Sequence, residues 1–564
     1  MPSEDRSRLL PTRRGIISGA AALALTAGPA FAERPSVARG HVFHDRSGTG
    51  RRRAGDPGIS GVMVSNGRDV VLTDSEGRWR LPLAEGDSVF VIKPPQWAVP
   101  AENGVPAFSR LHCPQGSPID ISYRHAGVAP TGALPDDIDF PLRRQEERSR
   151  FEVALLADTQ PEDGAELAYL RDDIVAAIPG SGAVFGINHG DIVFDDLSLY
   201  PRYLQVLSAS GIPWHHCPGN HDINPEARDD RSSRDTWKRV FGPRHYAFQY
   251  AGATFILLDN VHYFGHNPGM PDSGRYCGRI GEQQQLQFVR NVLAKVPPEQ
   301  LVVLSMHIPL RNYQNPASAA DNTGDRRALL QLLSSRPHTL SFSGHMHSTE
   351  HHYLGADDGF RGAKPHHHHV LTAASGGWWG GPKDSRGIPS AYSQDGTPNG
   401  FHVLAIEGSA CATSFVPAAG KSRAQLRAIV DGPHCRDTQA KPQGHGTGAT
   451  PYARLSQCEL IVNVFDGGPQ TRVTYELSAA GSEPIAMERA PICDPFVARL
   501  FSEHAAAQKP WVRAVPSSHV WKAALPSALE PGAHCVTVKA EDEYGRRHCA
   551  HHIVEVTDNG RSSI

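Results

Sequence analysis

The sequence predicts an α/β protein whose central region is set between two β modules. Three observations lead there. Over residues 151–385, short apolar runs alternate with helix-period segments, the pattern of an α/β core. Residues 36–125 carry short strands parted by Gly, Pro and Asp turns, and residues 386–556 return to strand texture. A chain of 564 residues also exceeds one ordinary hydrophobic core, so several domains are expected.

The elements follow in order. Arg6, Arg8, Arg13 and Arg14 precede a mildly apolar run from Gly15 to Ala27, and then comes Ala30-Phe31-Ala32, an A-x-A cleavage pattern. That run is shorter than the roughly 20 residues a membrane span needs. Residues 1–32 are therefore read as a signal peptide, and the Arg13-Arg14 pair resembles a twin-arginine signal. A mature protein in the periplasm or outside the cell is expected, with no later segment apolar enough to anchor it. In residues 36–125, Val62–Val64, Val70–Leu72 and Val89–Ile92 read as strands of a small sandwich. The stretch Gly58 to Leu83 resembles prealbumin-like or carboxypeptidase-regulatory-like modules. Residues 126–150 read as a linker ending in the charged run Arg143 to Arg150.

Within residues 151–385, the expected strands are Phe151–Ala157, Ala183–Asn188, Ile212–Cys217, Thr254–Leu258, Leu301–Met306 and Thr339–Ser343. The segment Glu282 to Lys295 reads as a helix, with Leu286, Val289, Val292 and Leu293 on one face. Beyond residue 385, Leu460–Phe465, Val473–Leu477 and Cys535–Ala540 read as strands of a second β domain, which ends near residue 556.

Charge and cysteine usage exclude some classes. With 56 Lys and Arg against 59 Asp and Glu, the chain lacks the basic excess that coats nucleic acid. The cluster Arg51, Arg52, Arg53 reads as a solvated loop. The nine cysteines form no C-x-x-C pair, which argues against a zinc ribbon. Export would permit disulfides, and five of the nine follow residue 430.

The chemistry lies at the strand ends. Asp158-Thr159-Gln160 follows the first central strand, Gly190-Asp191 the second and Gly219-Asn220-His221-Asp222 the third. His307 follows Leu301–Met306, and Gly344-His345-Met346-His347 follows the last. In open α/β sheets the ligand crevice lies at the carboxyl ends of strands, so these five blocks should converge. Carboxylate, amide and imidazole donors suit divalent Zn, Mn or Fe. Two such ions can hold both the attacking and leaving oxygens of a phosphoryl centre, with Asp191 as the natural bridge. Glycines beside Asp191, Asn220 and His345 would permit sharp turns and close backbone approach.

In this order the blocks resemble the calcineurin-like metallophosphoesterase superfamily, whose pattern is D-x-H, G-D, G-N-H-D/E, H and G-H-x-H. The resemblance implies a β-sandwich flanked by helices, an α/β/β/α core. It implies a first metal held by Asp158, Asp191 and His347, and a second held by Asp191, Asn220, His307 and His345. His221 would face the phosphate and protonate the leaving oxygen, with Asp222 orienting its imidazole. Gln160 stands where the pattern has His; its amide oxygen would ligate the first metal or leave water there. Phe194 stands where purple acid phosphatases carry an iron-binding Tyr. The segments Ala374–Gly380, Asp395–Gly400 and Leu525–Val556 resemble a bacterial branch that adds an N-terminal β-sandwich and a dedicated C-terminal domain.

The implied function is an exported hydrolase of phosphomonoesters or phosphodiesters, acting by attack of a metal-bridging hydroxide. The rival is an exported binding or envelope protein on a degenerate core, for which the Gln160 change is the support. The histidines His366 to His369 precede an expected strand Val370–Ala373 and read as packing or rim residues. His215 and His216 read as strand residues, His351 and His352 as pocket-lining candidates, and Trp378 and Trp379 as core.

Overall fold

A computed structural model describes residues 36–102, 104–266, 275–420, 422–432, 449–477, 483–527 and 529–557. The signal-peptide reading and Cys435 lie outside them.

Two sheets form the centre. One runs Trp214–His216, Ala183–Asn188, Arg150–Leu156, Gly400–Glu407, Ala410–Pro417, with the first three strands parallel. The other runs Tyr246–Tyr250, Ala253–Leu257, Leu301–Ser305, Thr339–Ser343, His366–Val370, Glu350–Leu354, with its four middle strands parallel. Strand side chains alternate between faces. Phe151, Val153 and Leu155 therefore join Phe185, Phe255, Val303 and Phe342 in the core between the sheets. Ala154 and Leu156 face the other way, against Leu167, Leu170, Tyr203 and Leu207 of the helices Gly164–Asp173 and Tyr200–Ser208. The helices Gln287–Leu293 and Arg326–Leu333 pack on the second sheet, through Val289, Val292, Leu329 and Leu333. The layers are thus α/β/β/α.

The flanking modules are β-structured. The N-terminal one pairs two four-stranded sheets, Arg78–Leu83, Ser36–His44, Phe140–Arg144, Trp97–Ala98 and Val70–Leu72, Met63–Ser65, Asp87–Ile92, Ser109–His112. The C-terminal one closes its own core around Val462, Val473, Tyr475, Trp521, Val536 and Val538. Arg51, Arg52 and Arg53 are exposed, as a solvated loop requires. Cys458 is disulfide-bonded, and Cys535 and Cys549 lie on the hairpin Gly532–Glu541 and Arg547–Thr557.

Three expectations are corrected. The segment 126–150 is not a free linker: Phe140–Arg144 adds in parallel to Ser36–His44, because Phe140 and Leu142 have an apolar core to enter. The central domain does not stop at residue 385, since Gly400–Glu407 pairs antiparallel with Arg150–Leu156 and covers its open edge. The late strand begins at His366, not Val370, so all four histidines lie within it.

Glu147, in the charged run, locks the N-terminal module to the core. Its carboxylate accepts from Lys93 Nζ at 2.6 Å, Gln96 N at 2.9 Å and Ala251 N at 2.6 Å. Lys93 also donates to the Gln249 carbonyl at 2.8 Å, and the side chains of Glu147 and Lys93 are 0% and 10% exposed. Removing one partner leaves an uncompensated buried charge. Glu147→Ala should therefore cost about 3–5 kcal/mol in denaturant unfolding; a loss below about 1 kcal/mol would show that water reaches Lys93.

Candidate metal centre

The five strand-end blocks meet in one crevice. His307 Nε2 lies 3.3 Å from Asp191 Oδ2, 2.9 Å from Asn220 Oδ1 and 3.1 Å from His345 Nδ1. His347 Nε2 lies 3.8 Å from Asp158 Oδ1, and both Asp158 oxygens accept the His345 amide N–H, at 3.0 and 2.9 Å. Gln160 Nε2 donates to Asp191 Oδ2 at 2.8 Å. All seven residues expected to hold metal are thus brought together.

The backbone holds them there at a cost. Asp158, Gln160, Asp191, His345 and His347 all have positive φ, at 50, 33, 52, 73 and 48°. For residues with a Cβ this left-handed region is strained and persists only where surroundings enforce it. The neighbouring glycines make the room. A Cβ on Gly219 would sit 2.1 Å from Asp191 Oδ1, and one on Gly344 would sit 2.4 Å from Asp158 Oδ2.

The donor set fits divalent cations. His307 Nδ1 donates to the His189 carbonyl and His347 Nδ1 to the Gly376 carbonyl, each at 2.8 Å. A carbonyl can only accept, so in the neutral ring each Nε2 turns a lone pair into the crevice, the usual support of a metal-binding imidazole. Gln160 Oε1 is buried without a hydrogen-bond partner, a free neutral oxygen in the same place. Burial and then the neighbouring Asp191 charge push the Asp158 carboxyl up to about 7, although the His307 charge opposes this. Burial would raise Asp191 too, but His307 and His221 hold it well below the carboxylate range. Burial opposes a charge on His307, yet Asp191 raises its imidazole to about 9. The same field that holds a proton on His307 attracts a cation.

His221 stands beside this group. Its amide donates to Asp191 Oδ1 at 2.9 Å, and its Nε2 is 3.9 Å from Asp191 Oδ2. Burial disfavours charge on this ring, but Asp191 and Asp195 raise it to about 9. Asp222 does not orient it. The tight turn after Asn220 directs Asp222 inward, where it accepts from Gly219 N at 2.8 Å, Ile192 N at 3.2 Å and Tyr200 Oη at 2.9 Å. The partner of His221 Nδ1 is Asp195, at 2.7 Å. No motif in the sequence singles out Asp195, whose φ of 59° places it in the same strained loop as Asp191.

Aromatic rings rim the centre. Phe194 stacks on His221 with ring centroids 4.7 Å apart, and Trp378 stacks on His347 at 4.0 Å. Trp511, from the C-terminal module, stacks on Phe194 at 5.9 Å and meets Trp378 edge-on at 5.8 Å. Nearby, Lys509 pairs with Glu162. Trp378 is therefore a wall of the site and not only core, while Trp379 packs against Tyr169. His215 and His216 are buried strand residues, and His215 stacks on Phe248 at 3.7 Å.

Comparison with known proteins gives three family matches. Residues 151–349 match calcineurin-like phosphoesterase, residues 46–125 the N terminal of calcineurin-like phosphoesterase, and residues 368–548 the C terminal of calcineurin-like phosphoesterase. No curated protein matches. Among solved structures, the chain is similar to a dimetal phosphatase from Danio rerio, with 17% identity, a TM-score of 0.33, and coverage of 48% of this chain and 97% of that one. It is also similar to a purple acid phosphatase from yellow lupin seeds, with 12% identity, a TM-score of 0.33, and coverage of 63% and 66%.

The two aspartates near His221 should separate on substitution. Asp222→Ala orphans buried donors, each costing about 1–3 kcal/mol, so thermal unfolding should shift down. The Asp195 side chain is 61% exposed, and Asp195→Ala should change stability by no more than about 0.5 kcal/mol while lowering turnover. The reverse order of stabilities would refute this division of roles.

Proposed function

The chain belongs to the calcineurin-like phosphoesterase family, with its N-terminal and C-terminal companion domains, and from that premise we propose that it is an exported hydrolase of phosphomonoesters or phosphodiesters using two divalent metal ions. The observation that carries the reading is the convergence of Asp158, Gln160, Asp191, Asn220, His307, His345 and His347, with two imidazoles turned inward by backbone carbonyls. Asp158, Asp191 and His347, with Gln160, would hold one ion. Asp191, Asn220, His307 and His345 would hold the other. Bound cations supply Lewis acidity to a phosphoryl group and make water a ready nucleophile at neutral pH.

The protein's own groups do the rest. Asp191, in contact with both halves of the donor set, supplies the shared negative charge. His221 carries a proton on the side of the crevice next to Asp191, where a leaving oxygen would need one. Asp195 holds the ring through Nδ1, and Phe194 packs its face, so Nε2 is the free edge. Gln160 keeps an oxygen donor where the family pattern has imidazole, which weighs against a degenerate core. Phe194 cannot ligate iron, so no purple colour is expected.

A panel of phosphomonoesters and diesters with metal-reconstituted protein tests the activity. Turnover is expected, with near-complete loss in Asp191→Asn. His221→Ala should cost roughly 10²–10⁴-fold with poor leaving groups and much less with good ones, because only the poor ones need the proton. Equal losses would remove His221 from that role, and no turnover of any ester by the metal-loaded protein would remove the function.

The export reading rests on Arg13-Arg14, the Gly15 to Ala27 run and Ala30-Phe31-Ala32. Among the described residues no helix is long and apolar enough to cross a membrane. Cell fractionation should find a shortened chain outside the cytoplasm, and Arg13→Lys with Arg14→Lys should retain it. A full-length wild-type chain found only in the cytoplasm would overturn this reading.

A further inference from the structure

A second group of metal-capable side chains lies outside the crevice. The correction at His366 is the key: within a strand, His367 and His369 face one side, opposite to His366 and His368. His366 and His368 are spent on Ser341, at 2.8 and 2.7 Å. His369 instead pairs across the sheet with His351, their rings stacked at 4.0 Å. Three imidazoles then point at one atom. His351 Nε2, His369 Nε2 and His402 Nε2 lie 3.2, 3.1 and 3.2 Å from Asp466 Oδ1. The donor atoms of His351, His369 and Asp466 all lie within 4.8 Å of one another. All three histidine side chains are 0% exposed, and Asp466 is 9% exposed.

Hydrogen bonding alone satisfies this group poorly. Three rings crowd one carboxylate oxygen, while Asp466 Oδ2 and His369 Nε2 are buried with no hydrogen-bond partner. Orphaned buried polar atoms are costly, and a native cluster of them calls for a missing partner. The outward nitrogens suit a cation. His351 Nδ1 lies 2.9 Å from His367 Nε2, and His369 Nδ1 lies 3.4 Å from Thr413 Oγ1. Outward N–H groups of this kind leave the Nε2 lone pairs for an ion. Zn–N bonds are about 2.0–2.1 Å, so donors sharing one tetrahedral ion stand about 3.3 Å apart. The contacts of His351 and His369 to Asp466 match that spacing.

We propose that His351, His369 and Asp466, with His402 donating to Asp466 from the far side, form a buried structural site for a divalent transition metal, with zinc the best fit. The site is distinct from the phosphoesterase centre and does not depend on it. It joins three parts of the fold. His351 and His369 belong to the second central sheet, His402 to the first, and Asp466 to the loop after Glu459–Val464 of the C-terminal module. That loop is pressed onto the cluster: a Cβ on Gly468 would lie 2.7 Å from His351 Cβ. Closure and burial leave no place for substrate, which marks a structural and not a catalytic ion. The ion would tie the two sheets and the C-terminal module at one point.

The test uses the full mature protein crystallised with zinc. Anomalous difference maps above and below the zinc edge should show a peak between His351, His369 and Asp466, separate from any density near Asp191. No peak there, in crystals whose other metal sites are filled, would overturn the proposal. Failure of the phosphoesterase reading would show independently, as no density near Asp191. In solution, Asp466→Ala should lower bound zinc by one equivalent per chain and remove a chelator-induced drop in unfolding temperature. Unchanged zinc content in folded Asp466→Ala would equally refute the assignment.

Discussion

The catalytic half of this molecule depends on the orientation of a few imidazole rings. A histidine at a strand end can swing, and its lone pair can face any direction. Here His307 and His347 each give Nδ1–H to a main-chain carbonyl, of His189 and Gly376. That single bond per ring fixes both tautomer and direction, so Nε2 faces the crevice before any ligand arrives. The carbonyls belong to loops anchored at parallel strand ends, so the α/β/β/α scaffold sets the aim. The left-handed backbone at Asp158, Asp191, His345 and His347 is the cost of bringing the turns that near, and the inter-sheet core offsets it.

Much of this was legible in the sequence because it is local. Strand-period apolar runs, a glycine and then a donor are read within a few residues, and the seven residues that meet at the crevice were read on that basis. What escaped depends on tertiary contact. Asp222 looked like the partner of His221 by adjacency, but consecutive residues in a tight turn point apart, and the partner is Asp195 from a different loop. Trp511 reaches the crevice from a module over a hundred residues away in sequence, so no periodicity could place it there. Domain edges failed for a similar reason: Gly400–Glu407 reads as a strand in any sheet, and only the open edge of Arg150–Leu156 decides which one it joins.

The flanking modules are part of the catalytic body. The N-terminal sandwich is joined through the buried Lys93–Glu147 pair and through Phe90 against Phe288, with ring centroids 5.8 Å apart. The C-terminal module carries Trp511 to the rim of the metal centre and Asp466 to the histidine cluster. Relative motion of that module would disturb both sites at once. Its fixed position is therefore a condition for the aromatic rim to have a defined shape.

The two histidine-rich clusters show how one kind of donor set serves different ends. Both combine imidazole and carboxylate, and both are largely buried. They differ in what surrounds the donors. At the first, His221 keeps an exposed edge, and Phe194, Trp378 and Trp511 form a wall that a substrate can meet. At the second, rings of His351, His367 and His369 stack on one another, and the Gly467-Gly468 turn closes the remaining side. An open coordination position needs space on one side of the donors, and the tight loop removes it. Chemistry is thus decided less by the identity of the donors than by whether the next layer of the fold admits water.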